Sequence, residues 1–193
     1  MDISKNKIKK LINEQDHYAS SLFQESLPTT SDNLLIKLEE WKIKFKLIQH
    51  IPLRTVEESK QFHNQSLIFD KTIAQIKNLY LRDHKKKNFL FVAQQDKKID
   101  LKNLSEIIKA GRLSFGSKER LFENLGVRPG AVTPFAMING IHKHVNLYLD
   151  LNLRSYEKLY AHPLVNDRTI EVKLEDLENF FNKIGVKINW IQL

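Results

Sequence analysis

The sequence predicts an α+β fold, and three observations predict it. Short segments that alternate apolar and polar residues are interspersed irregularly with short amphipathic ones, unlike the regular alternation of a doubly wound α/β chain. The helical segments stop at glycines, Gly111, Gly126 and Gly185, the residue that best accepts the left-handed conformation of a helix C-cap. A chain of 193 residues with 41% hydrophobic content can bury the core of one domain and is too apolar to stay disordered.

Taken in order, Ile3 to Ile12 is a short basic helix candidate followed by a polar stretch through Ser20 and Ser21 to Pro28, Thr29 and Thr30. This divides the chain into a basic N-terminal extension over 1–30 and a main domain over 31–193. Ser31 or Asp32 can cap a helix whose Leu34, Leu35, Leu38 and Trp41 fall at helical spacing. Phe45 to Ile51 alternates as a half-buried strand does until Pro52, and Val56 to His63 reads as a short, lid-like helix. Ile73 to Leu81 and Asn88 to Gln94 are strands joined by the turn Asp83 to Lys87, with Lys77 on the first. Leu101 to Ala110 is helical up to Gly111, and Ser117 caps a further helix that stops at Gly126. Phe135 to Ile138, Val145 to Asp150, Tyr156 to Tyr160 and Thr169 to Val172 read as strands, Leu174 to Ile184 as an amphipathic helix before Gly185, and Val186 to Ile191 as a last strand.

Composition narrows the chemistry. With no cysteine the chain has no disulfide, no thiolate metal ligand and no thiol nucleophile. Met1 to Leu11 lacks the continuous apolar core of a signal peptide and no run is long enough to span a bilayer, so a cytoplasmic protein without membrane contact is expected. The net charge of +8 favours a polyanionic partner. Lysines at Lys5 to Lys10, Lys42 to Lys46, Lys85 to Lys87 and Lys97-Lys98 form either one RNA-facing patch or an ordinary solvated surface.

Gly126 to Pro134 holds two glycines and two prolines in nine residues, the mark of an ordered loop whose shape is set by its backbone. Around it stand Leu113-Ser114-Phe115-Gly116-Ser117, then Phe135, then His162-Pro163-Leu164-Val165-Asn166, with Lys77-Asn78-Leu79 upstream. These motifs, in this order from about Asn33 onward, resemble the YbaK/prolyl-tRNA editing domain family, and within it the free-standing Ala-tRNA(Pro) deacylases. The resemblance implies a mixed, partly barrel-like β-sheet flanked by helices. It also implies hydrolysis of the ester joining a wrong amino acid to the terminal ribose of a tRNA. On that reading the Gly-x-x-x-Pro loop is Gly130 to Pro134, the family's lysine and asparagine are Lys77 and Asn78, and its histidine is His162. The chain departs from the family pattern at Gly116, where alanine is usual, and at Ala136, where glycine is usual.

An aminoacyl ester is already reactive, so an enzyme need only position water, stabilise the oxyanion and hold the terminal adenosine. The expected catalytic set is Gly130, Pro134, Lys77 and His162: loop backbone groups for the ester or water, Lys77 for a phosphate or ribose oxygen, and His162 for shaping the amino-acid pocket rather than for general-base work. Asn78, Phe115, Ala131, Val132, Thr133 and Phe135 are the expected substrate-binding residues, with Met137 a further wall candidate. Read without the resemblance, Lys77 snorkels to water and His162 is structural. His142 and His144 would share a face if on a strand, but no carboxylate completes a metal site there. Ser114 and Ser117 lack a nucleophile elbow, and Asp150 reads as a strand-end turn residue. No metal or cofactor is therefore expected. The partner is aminoacyl-tRNA, tRNA(Pro) first, with prolyl-tRNA synthetase or the elongation machinery as further partners. Two alternatives stand beside this: a non-catalytic tRNA-end or synthetase-associated binding module, and a deacylase for Cys- or Ser-tRNA.

Overall fold

The computed structural model describes residues 18–53, 55, 57–58, 61–62, 70 and 72–193. The expected basic helix at Ile3 to Ile12 lies outside the described residues, as does half of the expected lid helix at Val56 to His63, of which Glu57, Glu58, Gln61 and Phe62 are described and helical. Helix α1 (Ser31–Glu40) is capped by Thr30, whose side chain accepts from the Asn33 N–H. The cap is therefore one residue earlier than Ser31, which is buried and accepts instead from Arg168. Strand β1 (Phe45–Gln49) follows.

The expected hairpin forms from β2 (Ala74–Asp83) and β3 (Asn88–Gln94), in antiparallel register from Ile76↔Gln94 to Arg82↔Asn88. Its turn is fastened by Asp83, whose Oδ1 accepts from the Lys87 N–H at 2.9 Å while its Oδ2 accepts from the Gly111 N–H at 3.3 Å. Helix α2 (Leu101–Ile107) is capped by Asp100, and the left-handed residue beyond it is Lys109 at φ 53° rather than Gly111. The chain then adds β4 (Leu113–Phe115), a strand the sequence reading lacks because three residues carry no periodic signal. Helix α3 (Lys118–Leu125) starts on the Ser117 cap and stops at Gly126, φ 66°, as its sequence predicts.

Phe135 to Ile138 corrects an expectation. It is a 3-10 turn (Pro134–Ala136) running into a short helix, α4 (Met137–Gly140), and not a strand. Thr133 caps it and Pro134 occupies its first position, where a fixed φ and a missing N–H suit a helix start. Phe135, Ala136 and Met137 are all buried, and such a continuous apolar run does not by itself separate a strand from a buried helix. His142 and His144 are corrected with it. They sit on a 3-10 turn (Ile141–Lys143) and its left-handed cap, both exposed, and not on one strand face. The remaining elements are β5 (Asn146–Asp150), β6 (Lys158–Ala161), β7 (Arg168–Lys173), α5 (Leu174–Lys183) and β8 (Ile188–Ile191).

The strands form one mixed sheet in the order β1-β7-β6-β2-β3-β5-β8, with β4 added to β2. Pairs β2–β6, β3–β5 and β5–β8 are parallel and the others antiparallel. The sheet is flanked by helices and does not close, since β1 and β8 end the path. Its larger core holds Phe135, Phe180 and Phe181, with the Phe135 and Phe180 rings edge-on at 4.9 Å. A smaller core of Leu81, Phe89, Phe91, Ala93, Leu104 and Leu113 lies under α2. Residues 18–30 pack against the rest of the described chain. Ala19 accepts from the Asn166 N–H, Ser21 bonds Asp167, Thr29 bonds Asn139, and Arg128 reaches the Phe23 carbonyl and Ser26 while lying 3.9 Å from the Tyr18 ring.

Candidate active site at a gap in the sheet

One edge of β2 is continuously paired with β3, but the opposite edge is not. It pairs with β6 only through Ala74 and Gln75 and with β4 only through Leu81 to Asp83. Between those ladders Ile76 to Leu79 have no strand partner on that side among the described residues. A cleft of about 260 Å³ opens there, lined by Leu53, Thr55, Ile76, Lys77, Asn78, Leu79, Gln95, Gly130, Val132 and His162. That four consecutive strand residues line it follows from its position at a strand edge, since a face would show only every second residue. A smaller recess shares Ile76, Asn78, Gln95 and His162 and continues to Gln75, Tyr160, Ala161 and Thr169.

The loop that forms the far wall is fixed by its own residues. Arg128 to Ala131 is a β-turn, closed by the Ala131 N–H donating to the Arg128 carbonyl at 3.0 Å, with Pro129 and Gly130 at its centre. Gly130 has φ 89°, so the pair fits a type II turn: proline presets the first central position and glycine takes the positive φ of the second. Two residues on, the Val132 carbonyl accepts from Asn78 Nδ2 at 2.9 Å, which ties the loop to β2. Asn78 Oδ1 is buried and has no donor among the described residues, so an acceptor remains beside the cleft. Ala131, Thr133 and Pro134 are buried behind the loop.

Lys77 donates to the main-chain oxygen of Lys97. Lys97 in turn places its ammonium between Asp150, at 3.0 and 2.9 Å from the two carboxylate oxygens, and the main-chain oxygen of Leu193 at 3.2 Å. Asp150 is fully buried and also accepts from the Asn152 N–H at 3.2 Å. It is therefore a structural anchor behind the site lysine and does not line the cleft. His162 follows β6, and its Nδ1 lies 2.8 Å from the Arg168 carbonyl. A carbonyl only accepts, so Nδ1 carries the proton and Nε2 is the ring's acceptor in the neutral form. The His50 ring stands 6.1 Å away, with Nδ1 on the Ile51 carbonyl at 2.7 Å and Nε2 on Thr169 Oγ1 at 2.8 Å. Burial lowers the His50 pKa below its ordinary value, against the opposing pull of the Ile51 carbonyl and the Asp167 charge.

Of the residues singled out from sequence, Lys77, Asn78, Gly130, Val132 and His162 meet in this cleft. Phe115 and Phe135 do not line it. Phe115 is 65% exposed on β4 and Phe135 is in the core against Phe180. Met137 is buried in the same core. Sequence reasoning missed Leu53, Thr55, Ile76, Leu79 and Gln95. Ile76 and Leu79 flank Lys77-Asn78, but only the interrupted pairing of β2 shows that neighbours on both faces reach one cleft. Gln95 is placed by its bonds to Gln75, main chain to main chain at 2.8 Å and amide to amide at 2.8 Å. Ser114 and Ser117 are exposed, and Ser117 serves as the α3 cap. Among the described residues no group of three His, Asp or Glu side chains is placed to hold a metal, and no helix is long and apolar enough to cross a membrane. Chemically, the cleft is lined by one ammonium, two side-chain amides, an imidazole and the backbone of a turn, a set suited to binding a polar, anionic ester.

Comparison with known proteins places this geometry. The model of the aminoacyl-tRNA editing domain matches residues 50–180. The chain is 36% identical over 161 residues to prolyl-tRNA editing protein ProX of Acetoanaerobium sticklandii, covering 83% of this chain and 95% of that one. It is 31% identical over 150 residues to prolyl-tRNA synthetase associated domain-containing protein 1 of Danio rerio, covering 76% and 78%. A crystal structure described as a candidate trans-editing enzyme for prolyl tRNA synthetase superposes with a TM-score of 0.60 at 19% identity, covering 86% of this chain and 98% of that one, which speaks to the fold.

Proposed function

The chain belongs to the aminoacyl-tRNA editing domain family, and from that premise we propose that it is a trans-acting deacylase that clears Ala-tRNA(Pro) in the cleft beside β2. The observation that carries this reading is the meeting of Lys77, Asn78, Gly130, Val132 and His162 around one cleft, although they are scattered over 86 positions of sequence. Catalysis then needs no covalent intermediate. Within the Gly130–Pro134 loop, the backbone at Gly130 and Val132, which line the cleft, holds the ester and the attacking water, with the glycine letting main-chain groups approach closely. Lys77 leaves the Lys97 carbonyl to grip a phosphate or ribose oxygen of the tRNA end, a role that suits a flexible point charge. Asn78 keeps the loop in register, and His162 offers Nε2 to the substrate.

A cleft of about 260 Å³ has room for a short acyl group and the ribose edge, and selection among small amino acids then rests on the shape of its wall. Alanine enters such a site and proline is rejected sterically, whereas attraction alone separates residues differing by one methylene by only about 1–3 kcal/mol. The names of the relatives support prolyl-tRNA synthetase as a protein partner. The test is hydrolysis of Ala-, Cys-, Ser- and Pro-tRNA(Pro) by the purified protein. Rapid loss of Ala-tRNA(Pro) with Pro-tRNA(Pro) spared is expected. Preferred loss of Cys- or Ser-tRNA would reassign the substrate, and an inert protein would overturn the deacylase reading.

A further inference from the structure

Phe115 was expected in the pocket and lies outside it, which leaves the Leu113-Ser114-Phe115 motif without a role. A lone exposed aromatic needs no explanation. Phe115 differs because of where the fold puts it. It is 65% exposed on β4 and pairs directly with Leu81 of β2, so the two side chains leave the sheet on the same face. Alternation along β2 puts Leu79 and Lys77 on that face as well, and both line the cleft. Leu79 is two residues from Leu81, about 7 Å along the strand. The junction between cleft and β4 is held rigid, with the Gly116 N–H donating to the Tyr80 carbonyl at 3.1 Å. An aromatic face thus stands one short step beyond the cleft, on the side of the site lysine.

Charge identifies the occupant. From position 109 to 120 the chain carries Lys109, Arg112, Lys118 and Arg120 against the single carboxylate of Glu119, and Arg112, Lys118 and Arg120 are exposed. An exposed aromatic among cations is the arrangement by which proteins stack the bases of single-stranded nucleic acid while neutralising its phosphates. Resting on the deacylase reading, we infer that Phe115 is the stacking platform for the base next to the terminal adenosine of the substrate RNA, one extended nucleotide away from the cleft that takes the ester. Arg112 and Lys118 bracket the platform and face the adjoining phosphates. Phe115 accordingly contributes to affinity for the RNA end and not to selection of the amino acid.

The test is a double-mutant cycle between protein and RNA. The probe is an uncharged minihelix with a single-stranded CCA end, with or without an abasic residue at the penultimate position, titrated at fixed salt against wild type, Phe115→Ala and Phe115→Tyr. Loss of one base–aromatic stack is expected to weaken binding about tenfold, whether by Phe115→Ala or by the abasic RNA. Both changes together should be no worse than either, and Phe115→Tyr should retain wild-type affinity. Losses that multiply to about a hundredfold overturn the inference. So does unchanged RNA affinity in Phe115→Ala, the result expected if Phe115 instead docks a protein. Exposure of the ring keeps the melting temperature of both variants at the wild-type value, so a binding loss is not a folding loss. Hydrolysis of the aminoacylated minihelix, measured separately, reports on the deacylase reading itself.

Discussion

Replacing Asn78 removes the hydrogen bond from its Nδ2 to the Val132 carbonyl at 2.9 Å, which ties the turn at Gly130 to the edge of β2. Losing a partly buried neutral bond costs about 1 kcal/mol, and a carbonyl left without a donor adds up to about as much again. Asn78→Ala should therefore be less stable by about 1–2 kcal/mol, which for a domain of this size lowers the melting temperature by roughly 2–8 °C. The effect on turnover should be larger than on stability. The loop would no longer be registered against Lys77, and a displacement of about 1 Å in a positioning element can cost about a hundredfold in rate. Asn78→Asp separates the bond from simple bulk. It is nearly isosteric but offers no donor and places a carboxylate against the Val132 carbonyl, so it should be at least as damaging as alanine. Thermal melting and single-turnover deacylation of Ala-tRNA(Pro) read the two effects. Wild-type melting and turnover in Asn78→Asp would refute the tether.

Three further outcomes follow from the same geometry. Gly130→Ala forces a side chain onto φ 89°, costing about 1–2 kcal/mol in stability, and strains the turn that lines the cleft; deacylation should be lost, whereas Gly185→Ala, at φ 72° with open space around its Cβ, should carry a similar stability cost with turnover kept. Asp150→Asn leaves the Lys97 ammonium facing a neutral amide and should destabilise by up to about 3 kcal/mol, because a buried partner loses its counter-charge; guanidinium unfolding measures it. His50 has a folded pKa below its ordinary value, so the unfolded chain binds its proton first and the stability gained from neutral His50 is present above the unfolded pKa and lost as pH falls through the folded one. The fall in melting temperature on acidification below the ordinary histidine range should be smaller in His50→Gln than in wild type.

How far the sequence could be read differs from element to element, for physical reasons. The β2–β3 hairpin, α3 between Ser117 and Gly126, and α5 were legible because caps and periodicity agreed. The turn at Pro129-Gly130 was legible because only certain residues take its dihedral angles. The segment at Phe135 was misread because complete burial erases the period that separates helix from strand. Within the site, Lys77, Asn78, Gly130, Val132 and His162 were named in advance, whereas Gln95 and Leu53 were not, since tertiary pairing alone brings them in. Lys97 stood in a lysine cluster and read as surface. Its link to Asp150 spans 53 positions, and nothing in composition or spacing announces it.

The central claim is that the cleft beside β2 is where ester hydrolysis occurs, and Lys77 is the residue on which it can be tested most directly. Single-turnover hydrolysis of Ala-tRNA(Pro) by wild type and by Lys77→Ala, with melting temperatures confirming that both are folded, decides it. The account predicts rapid hydrolysis by the wild type and none above the spontaneous rate by the folded variant. Turnover by Lys77→Ala close to wild type would contradict it and move the active site elsewhere on the molecule.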